Sequence, residues 1–405
     1  MSGQTKVLII ARPPIVGNRR AGTTVVLAAA VFFFLVAFLA FAIDVGYLCM
    51  ARSQAQHCAD AAALAAGLEM VSDARLTQNL ATLTASAATK AHECAALQDI
   101  TRTVVNDDPD ITPEVIETVA IGRLDNPSNP AATLFPSGKP NAAFVKVTCD
   151  QSHGTPIPLF FARIFGIATT AVSAEATVAF DTDKTVGFKV EEDGPPCTLM
   201  PFVVEEESWD NLLANGGPDD WTYNPQTGAV TAGPDGIPEL KMFPSVPNSG
   251  GVTPGNFGTV DIGGNDNSAA ELERQIVEGP SAADLEPYGG ELRLDSVTDD
   301  AGLPGVAVLD LNGDTGLTAS MSLALPQVVG KPRTIMLYND VAGTGDTTWF
   351  TICRFVGVRV VDFKTTGAFQ NKYVLIQPAM VQDPTVITED GDTSDFVTQP
   401  VHLVR

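Results

Sequence analysis

The sequence predicts an α+β protein: an N-terminal transmembrane helix that continues into a helical stem, a small α+β module, and then a β-rich exported domain. Three observations predict it. Thr23 to Ile43 (TTVVLAAAVFFFLVAFLAFAI) contains no Asp, Glu, Lys or Arg. Ala51 to Met70 is rich in Ala and free of Pro. Beyond residue 196 short apolar runs alternate with turns such as Asn215-Gly216-Gly217-Pro218, Gly233-Pro234-Asp235-Gly236 and Asn248-Ser249-Gly250-Gly251. The expected boundaries are a basic tail over 1–22, the span over 23–43, stem and module over 44–180, a linker over 181–196 and the exported domain over 197–405.

As a helix, the uncharged run spans about 30 Å, the thickness of a bilayer's hydrocarbon core. Lys6, Arg12, Arg19 and Arg20 precede it, and Arg52 is the first base after it. Positive charge stays cytoplasmic, so the N-terminus is expected inside and the remainder exported. A cleaved signal is the competing reading. Its apolar core would be shorter and followed by an A-x-A-like site, whereas this run ends in Ile43-Asp44-Val45-Gly46-Tyr47. Asp44 either stops the span in the headgroups or pairs with a partner protein.

All 48 acidic residues follow Ile43 with 20 of the 24 bases, a formal charge of −28 for that part (20 against 48). Phosphate backbones are repelled by such a surface, so nucleic acid is excluded as a partner. Solubility is the simple reading of the acidity, and divalent cation binding the alternative. The six cysteines (Cys49, Cys58, Cys94, Cys149, Cys197, Cys353) suggest disulfides in an exported chain. The pairs Cys94–Cys149 and Cys197–Cys353 are expected, and Cys49 is either free or paired between chains. A zinc reading of His57, Cys58, His92 and Cys94 matches no common spacing.

In the stem, Ala55, Ala59, Ala63 and Gly67 place small side chains on one helix face. That face permits close packing, against a partner helix or against the chain's own domain. A second helix is expected over about Ala74 to Leu97, broken by Asp107-Asp108-Pro109-Asp110. Strands are expected over Glu114–Arg123, Ala143–Cys149 and Ala171–Phe180, with a Pro-rich loop over Asn126–Pro140 and a short helix over Leu159–Gly166. Later, Ser268 and Glu271 form a capping box for a helix over Ala269–Glu278. Ile335–Tyr338, Phe350–Phe363 and Tyr373–Val381 are rich in Val, Ile and Phe and are expected as central strands.

Arg19-Arg20-Ala21-Gly22, the apolar run, Asp44-Val45-Gly46, Arg52, Gln56 and Ala59-Asp60-Ala61-Ala62-Ala63-Leu64-Ala65-Ala66 together resemble the anchor region of TadE/TadG-like Flp (tight adherence) pilus-assembly proteins. The likeness extends over Arg19 to Gly67. Departures are Ala55 for Leu, His57 for Asn and Cys58 for Ala. The F-x-x-x-F-G and alternating strand within Leu159–Phe180 are also similar to the closing segment of these modules. The resemblance implies a component of the bacterial inner membrane whose stem contacts other pilus-assembly or envelope proteins. Processed pilins are cut after a Gly with Glu five residues on, but Leu27 stands at that offset from Gly22. The string Asp392-Thr393-Ser394-Asp395-Phe396 lacks the second Ser of a von Willebrand A metal site, and that domain is not assigned.

Catalytic motifs such as G-x-S-x-G, the P-loop, H-E-x-x-H and C-x-x-C are missing from the sequence. Asp310, Asn312 and Asp314 alternate as calcium-loop ligands do. Thr315 and Met321 replace the Gly and Glu such a loop requires, so a tight turn competes. Gly263-Gly264 before Ser268 suggests an anion cradle or a plain strand–helix loop, and Asp261, Asp266 and Glu271 oppose the anion. No catalytic, cofactor-binding or metal-ligating residue is assigned, and no cofactor. The expected function is a single-pass, non-enzymatic envelope protein supporting pilus biogenesis or adhesion. The alternatives are a calcium-stabilised adhesin or ligand-binding ectodomain unrelated to pili, and an envelope hydrolase using paired carboxylates.

Overall fold

The helix that carries the apolar run does not end with it at Ile43. In the computed structural model Arg19–Met70 is one α-helix of 52 residues (α1), about 78 Å long at 1.5 Å per residue. No Pro interrupts it, and Ala, the best helix former, dominates its second half. The structure describes residues 19–98, 100, 114–125, 134–135, 139–181, 183–243, 246–248, 251–253, 255–263, 268–295, 309–314, 321–343, 348–368, 371–389 and 395–404. The tail up to residue 18, the Asp107–Asp110 break, most of the 126–140 loop, Gly264, Asp266, Thr315 and Asp392–Ser394 lie outside them. The described residues fall into two compact units, one within Met1–Ala55, Asp99–Glu114 and Thr148–Ser173, the other within Gln56–Gln98, Val115–Val147 and Ala174–Arg405.

The second helix is divided where one helix was expected. A single turn, Ala74–Thr77, precedes Leu80–Ala96 (α2). Asn79 causes the division: its side chain accepts a hydrogen bond from Thr82 N–H at 3.0 Å and starts a new helix. Leu83, Ala87, Ala91 and Ala95 form the buried stripe of α2, one residue per turn. Three expected strands follow as Ile116–Gly122 (β1), Ala142–Cys149 (β2) and Val172–Ala179 (β3). They lie in the order β1-β2-β3, and the distant pair His402–Leu403 completes the sheet beside β3.

The stretch read as a linker contains a strand, Lys184–Lys189 (β4). Leu199–Glu205 (β5) leads into a helix, Glu206–Asn215 (α3), and the strands Leu240–Met242 (β6) and Phe257–Val260 (β7) follow. The expected helix Ala269–Glu278 (α4) is present, with Ser268 Oγ accepting from Glu271 N–H. Then come Glu291–Arg293 (β8), Leu309–Asp314 (β9), the helix Met321–Val328 (α5), Pro332–Ala342 (β10), Thr348–Lys364 (β11), Tyr373–Pro378 (β12) and Val386–Glu389 (β13). Strand β4 is the middle of a three-stranded sheet with β8 and β13.

The large sheet closes on itself. β5 pairs with β7, β7 with β9, β9 with β11, β11 with β10, and β10 returns to β5 in parallel. β11 makes this possible because it is 17 residues long and its second half also pairs with β12. Alternate side chains enter two cores. Phe202, Val204, Ile335, Leu337, Val356 and Val358 meet helices α3, α4 and α5 through Trp209, Ile276 and Leu325. Val203, Leu309, Leu311, Met336, Phe350 and Phe355 meet on the other face with Phe188 of β4. Each such side chain contributes about 1.5–3 kcal/mol when fully buried.

Three expectations are corrected. Asp310-Leu311-Asn312-Gly313-Asp314 is neither a calcium loop nor a turn but most of β9, with Asp310–Gly313 paired to Thr348–Thr351 of β11 and Asp314 to Thr259 of β7. Asp310 is buried and accepts from Thr351 Oγ1 at 2.6 Å. No disulfide joins any of the six cysteines. Cys197 lies in one core while Cys353 packs against the other, so the sheet separates them. Leu159–Gly166 contains only a 3₁₀ turn, Ala162–Phe165, ended by Gly166 at φ +86°.

Candidate functional site

Asp44 is the first charged residue after the apolar run, and it sits within α1. Its carboxylate accepts hydrogen bonds from the backbone N–H groups of Phe160 (2.9 Å), Phe161 (3.1 Å) and Ala162 (2.8 Å). A helix start leaves such N–H groups without intrahelical partners. A carboxylate satisfies them with charge-assisted bonds, here from a residue 116 positions earlier in the chain. The sequence reading offered a headgroup stop or a partner protein for Asp44. The structure commits the carboxylate, which is only 7% exposed, to this chain's own backbone.

The segment it holds is a closed turn. Ile157 and Pro158 pair with Thr170 and Thr169, and Leu159 N–H donates to Ala168 C=O at 3.0 Å. Between these ends the chain makes the 3₁₀ turn, and Gly166 reverses it because only Gly enters the left-handed region freely. Tyr47, less than one turn along α1 from Asp44, meets Phe160 edge to face with ring centroids 5.1 Å apart. The motif residues at the helix exit thus position a loop that local sequence reasoning saw only as a short helix.

The small-residue face of the stem is occupied. Ala55, Ala59, Ala63 and Gly67 are all buried, as are Cys58, Ala62, Ala66 and Met70. In the second unit this face meets α2 and β3. Ser86 Oγ donates to Glu69 Oε1 at 2.6 Å, Cys58 Sγ lies 4.0 Å from Ala95 C=O, and Gln56 Nε2 donates to Glu175 C=O at 2.9 Å. A Cβ on Gly67 would stand 2.6 Å from Val401 and 3.0 Å from Val178. Of the two readings of this stripe, packing on the chain's own domain is the one observed.

Below the stem, Asp73 reaches the β-rich part of the same unit. Its Oδ2 is 2.7 Å from Arg359 Nη1, and its Oδ1 accepts from Met380 N–H at 2.9 Å. Arg359 is buried on β11, donates from Nε to Gly330 C=O at 2.9 Å, and stacks 3.5 Å from the Tyr223 ring centroid. Arg75 lies over Phe180 at 5.7 Å and donates to Pro140 C=O. Neither contact was legible beforehand, because no local pattern marks a residue whose partner is distant in the sequence.

The remaining candidate residues do not assemble into a reactive centre. Among the described residues no three His, Cys, Asp or Glu side chains are grouped to hold a metal, and His57, Cys58, His92 and Cys94 form no such group. Gly263 lies in a strand–helix loop, where a Cβ would meet Asp284 C=O at 2.3 Å. Asp261, Glu271 and Asp314 line a cavity of about 30 Å³, room for one water. Burial pushes the Cys197 and Cys353 thiols up to about 12, which leaves them protonated and unreactive.

Comparison with protein families places this geometry. Residues 22–75 match a family described as putative Flp pilus-assembly TadE/G-like, and residues 51–177 match one described as putative Tad-like Flp pilus-assembly. No curated protein and no solved structure matches the chain. The N-terminal anchor region is TadE/TadG-like. Together with the apolar helix, the two matches fit a membrane-anchored pilus-assembly protein.

Proposed function

We propose that the chain is a single-pass, non-enzymatic component of the Flp pilus-assembly apparatus, anchored in a bacterial inner membrane with its N-terminus cytoplasmic and its acidic part exported. The carrying observation is that both family matches fall on one stretch, 22–177, which runs from the apolar helix through the stem to β3. The basic residues before the span and the acidic balance after it support the orientation. Residues 44–180 serve as the assembly module and 197–405 as an exported domain that supports pilus biogenesis or adhesion. Partner proteins would contact the stem on the side opposite the buried alanine face, where His57 and Leu68 are exposed.

The test is deletion of the gene followed by complementation with the full chain and with a His57→Glu, Leu68→Asp double variant. Loss of Flp pili and surface attachment, restored by the full chain and not by the folded variant, is the expected result. Normal pili and attachment in the deletion strain would refute the assignment.

A further inference from the structure

We infer that the turn Phe160–Ile167 is a second membrane-contacting element, a preformed apolar wedge that enters the headgroup layer of the bilayer crossed by Thr23–Ile43. The inference rests on the reading of that run as a membrane span. Within eight residues, Phe160, Phe161, Ile164, Phe165 and Ile167 are all solvent-exposed, Ile164 by 79% and Phe165 by 83%. Exposed apolar side chains grouped this densely mark an interaction surface.

Its position identifies the occupant. The turn is tied through three backbone N–H groups to Asp44, one residue beyond the lipid-spanning run, so it lies at the depth where the span leaves the hydrocarbon. Phe41 and Ile43, at the end of the span on α1, are likewise exposed. Tyr47, stacked on Phe160, has the amphipathic ring that favours the membrane interface. The chemistry agrees. The only charge in the turn is Arg163, a base in a part of the chain whose formal balance is strongly acidic. An arginine among Phe and Ile is the composition of interfacial segments, with the guanidinium reaching anionic headgroups and the apolar side chains entering the acyl boundary.

The turn is also prepared for insertion. Its ends are paired at Ile157–Thr170 and Pro158–Thr169, the N–H groups of Phe160, Phe161 and Ala162 are bonded to Asp44, and those of Ile164, Gly166 and Ile167 are bonded within the turn. Entering a less polar layer therefore strands few backbone donors, and little chain entropy is lost.

The experiment places an environment-sensitive fluorophore on the full chain in vesicles of zwitterionic and anionic phospholipid. In a Cys49→Ala background, Phe165→Cys, Ile164→Cys, Ser152→Cys and Phe34→Cys are each labelled, with single-site labelling checked by mass. Lipids carrying a quencher near the headgroup should quench the probes at 164 and 165 severalfold more than the probe at 152. Lipids quenched near the chain ends should quench the probe at 34. Water-like emission without lipid quenching at 164 and 165, with 34 quenched, overturns the wedge and leaves the span intact. Failure at 34 overturns the span reading itself. A blue shift at 165 that grows with protein density and ignores lipid quenchers would show a second copy of the chain on this surface, and also overturns the inference.

Discussion

The ion pair between Asp73 and Arg359 joins the end of the stem to the β-rich part of its unit, and its contribution can be worked out from the geometry. Arg359 is 3% exposed, so a charge left there without a counter-ion has almost no water to replace it. Removing one partner of a buried pair costs about 3–5 kcal/mol. The Asp73 side chain keeps 23% exposure, which lets solvent relax the vacancy and lowers the expectation for Asp73→Ala to about 2–3 kcal/mol. Arg359→Met retains the volume but loses the Gly330 hydrogen bond and the stack on Tyr223, for an expected loss of about 2 kcal/mol. In the double variant no unpaired charge remains. Its loss should fall short of the sum by about 1–2 kcal/mol. The assay is urea unfolding of the full chain in micelles, followed by tryptophan fluorescence, with Trp209 buried in the helix-covered core. A coupling energy below about 0.5 kcal/mol would refute the pair as a structural link.

Other consequences are as direct. Asp44→Ala should speed hydrogen exchange at the Phe160, Phe161 and Ala162 amides about tenfold or more while amides of β11 keep their protection, read by exchange mass spectrometry. Gly67→Leu drives a side chain into Val401 and Val178 and should lower stability by about 1–3 kcal/mol, read as a lower melting temperature, whereas Leu68→Ala on the exposed side should leave it nearly unchanged. Iodoacetamide at pH 8 should modify exposed Cys49 in the native chain and spare Cys197, whose thiol burial holds protonated up to about 12. Denaturant should equalise the two.

Legibility followed the range of the interactions. The span and the alanine stem declare themselves because their signal is local: charge absent over one stretch, small residues every fourth position. The helix after Ser268 was equally plain, since a cap bonds within its own first turn. Val- and Ile-rich β11 was visible as a strand, but not its three partners, which come from residues that lie before and after it in sequence. Asp310 to Asp314 misled for the same reason. Asp, Asn and Gly are turn formers in isolation, and pairing with β11 and β7 holds them extended. The exit motif displayed Asp44 without its purpose, because the N–H groups it binds are set by a turn more than a hundred residues on.

The pairing of His402–Leu403 with β3 has a consequence for how the protein is made. His402 bonds beside Ala179, so the edge of the first sheet stays open while the ribosome adds the 222 residues between them. Until then that edge is an unpaired β-strand on the nascent chain, and such edges invite pairing with neighbours. Completion of the module is thus timed by synthesis of the domain behind it. A tag or truncation near residue 402 would be felt first not where it is placed, but at the stem where Gly67 meets Val178 and Val401.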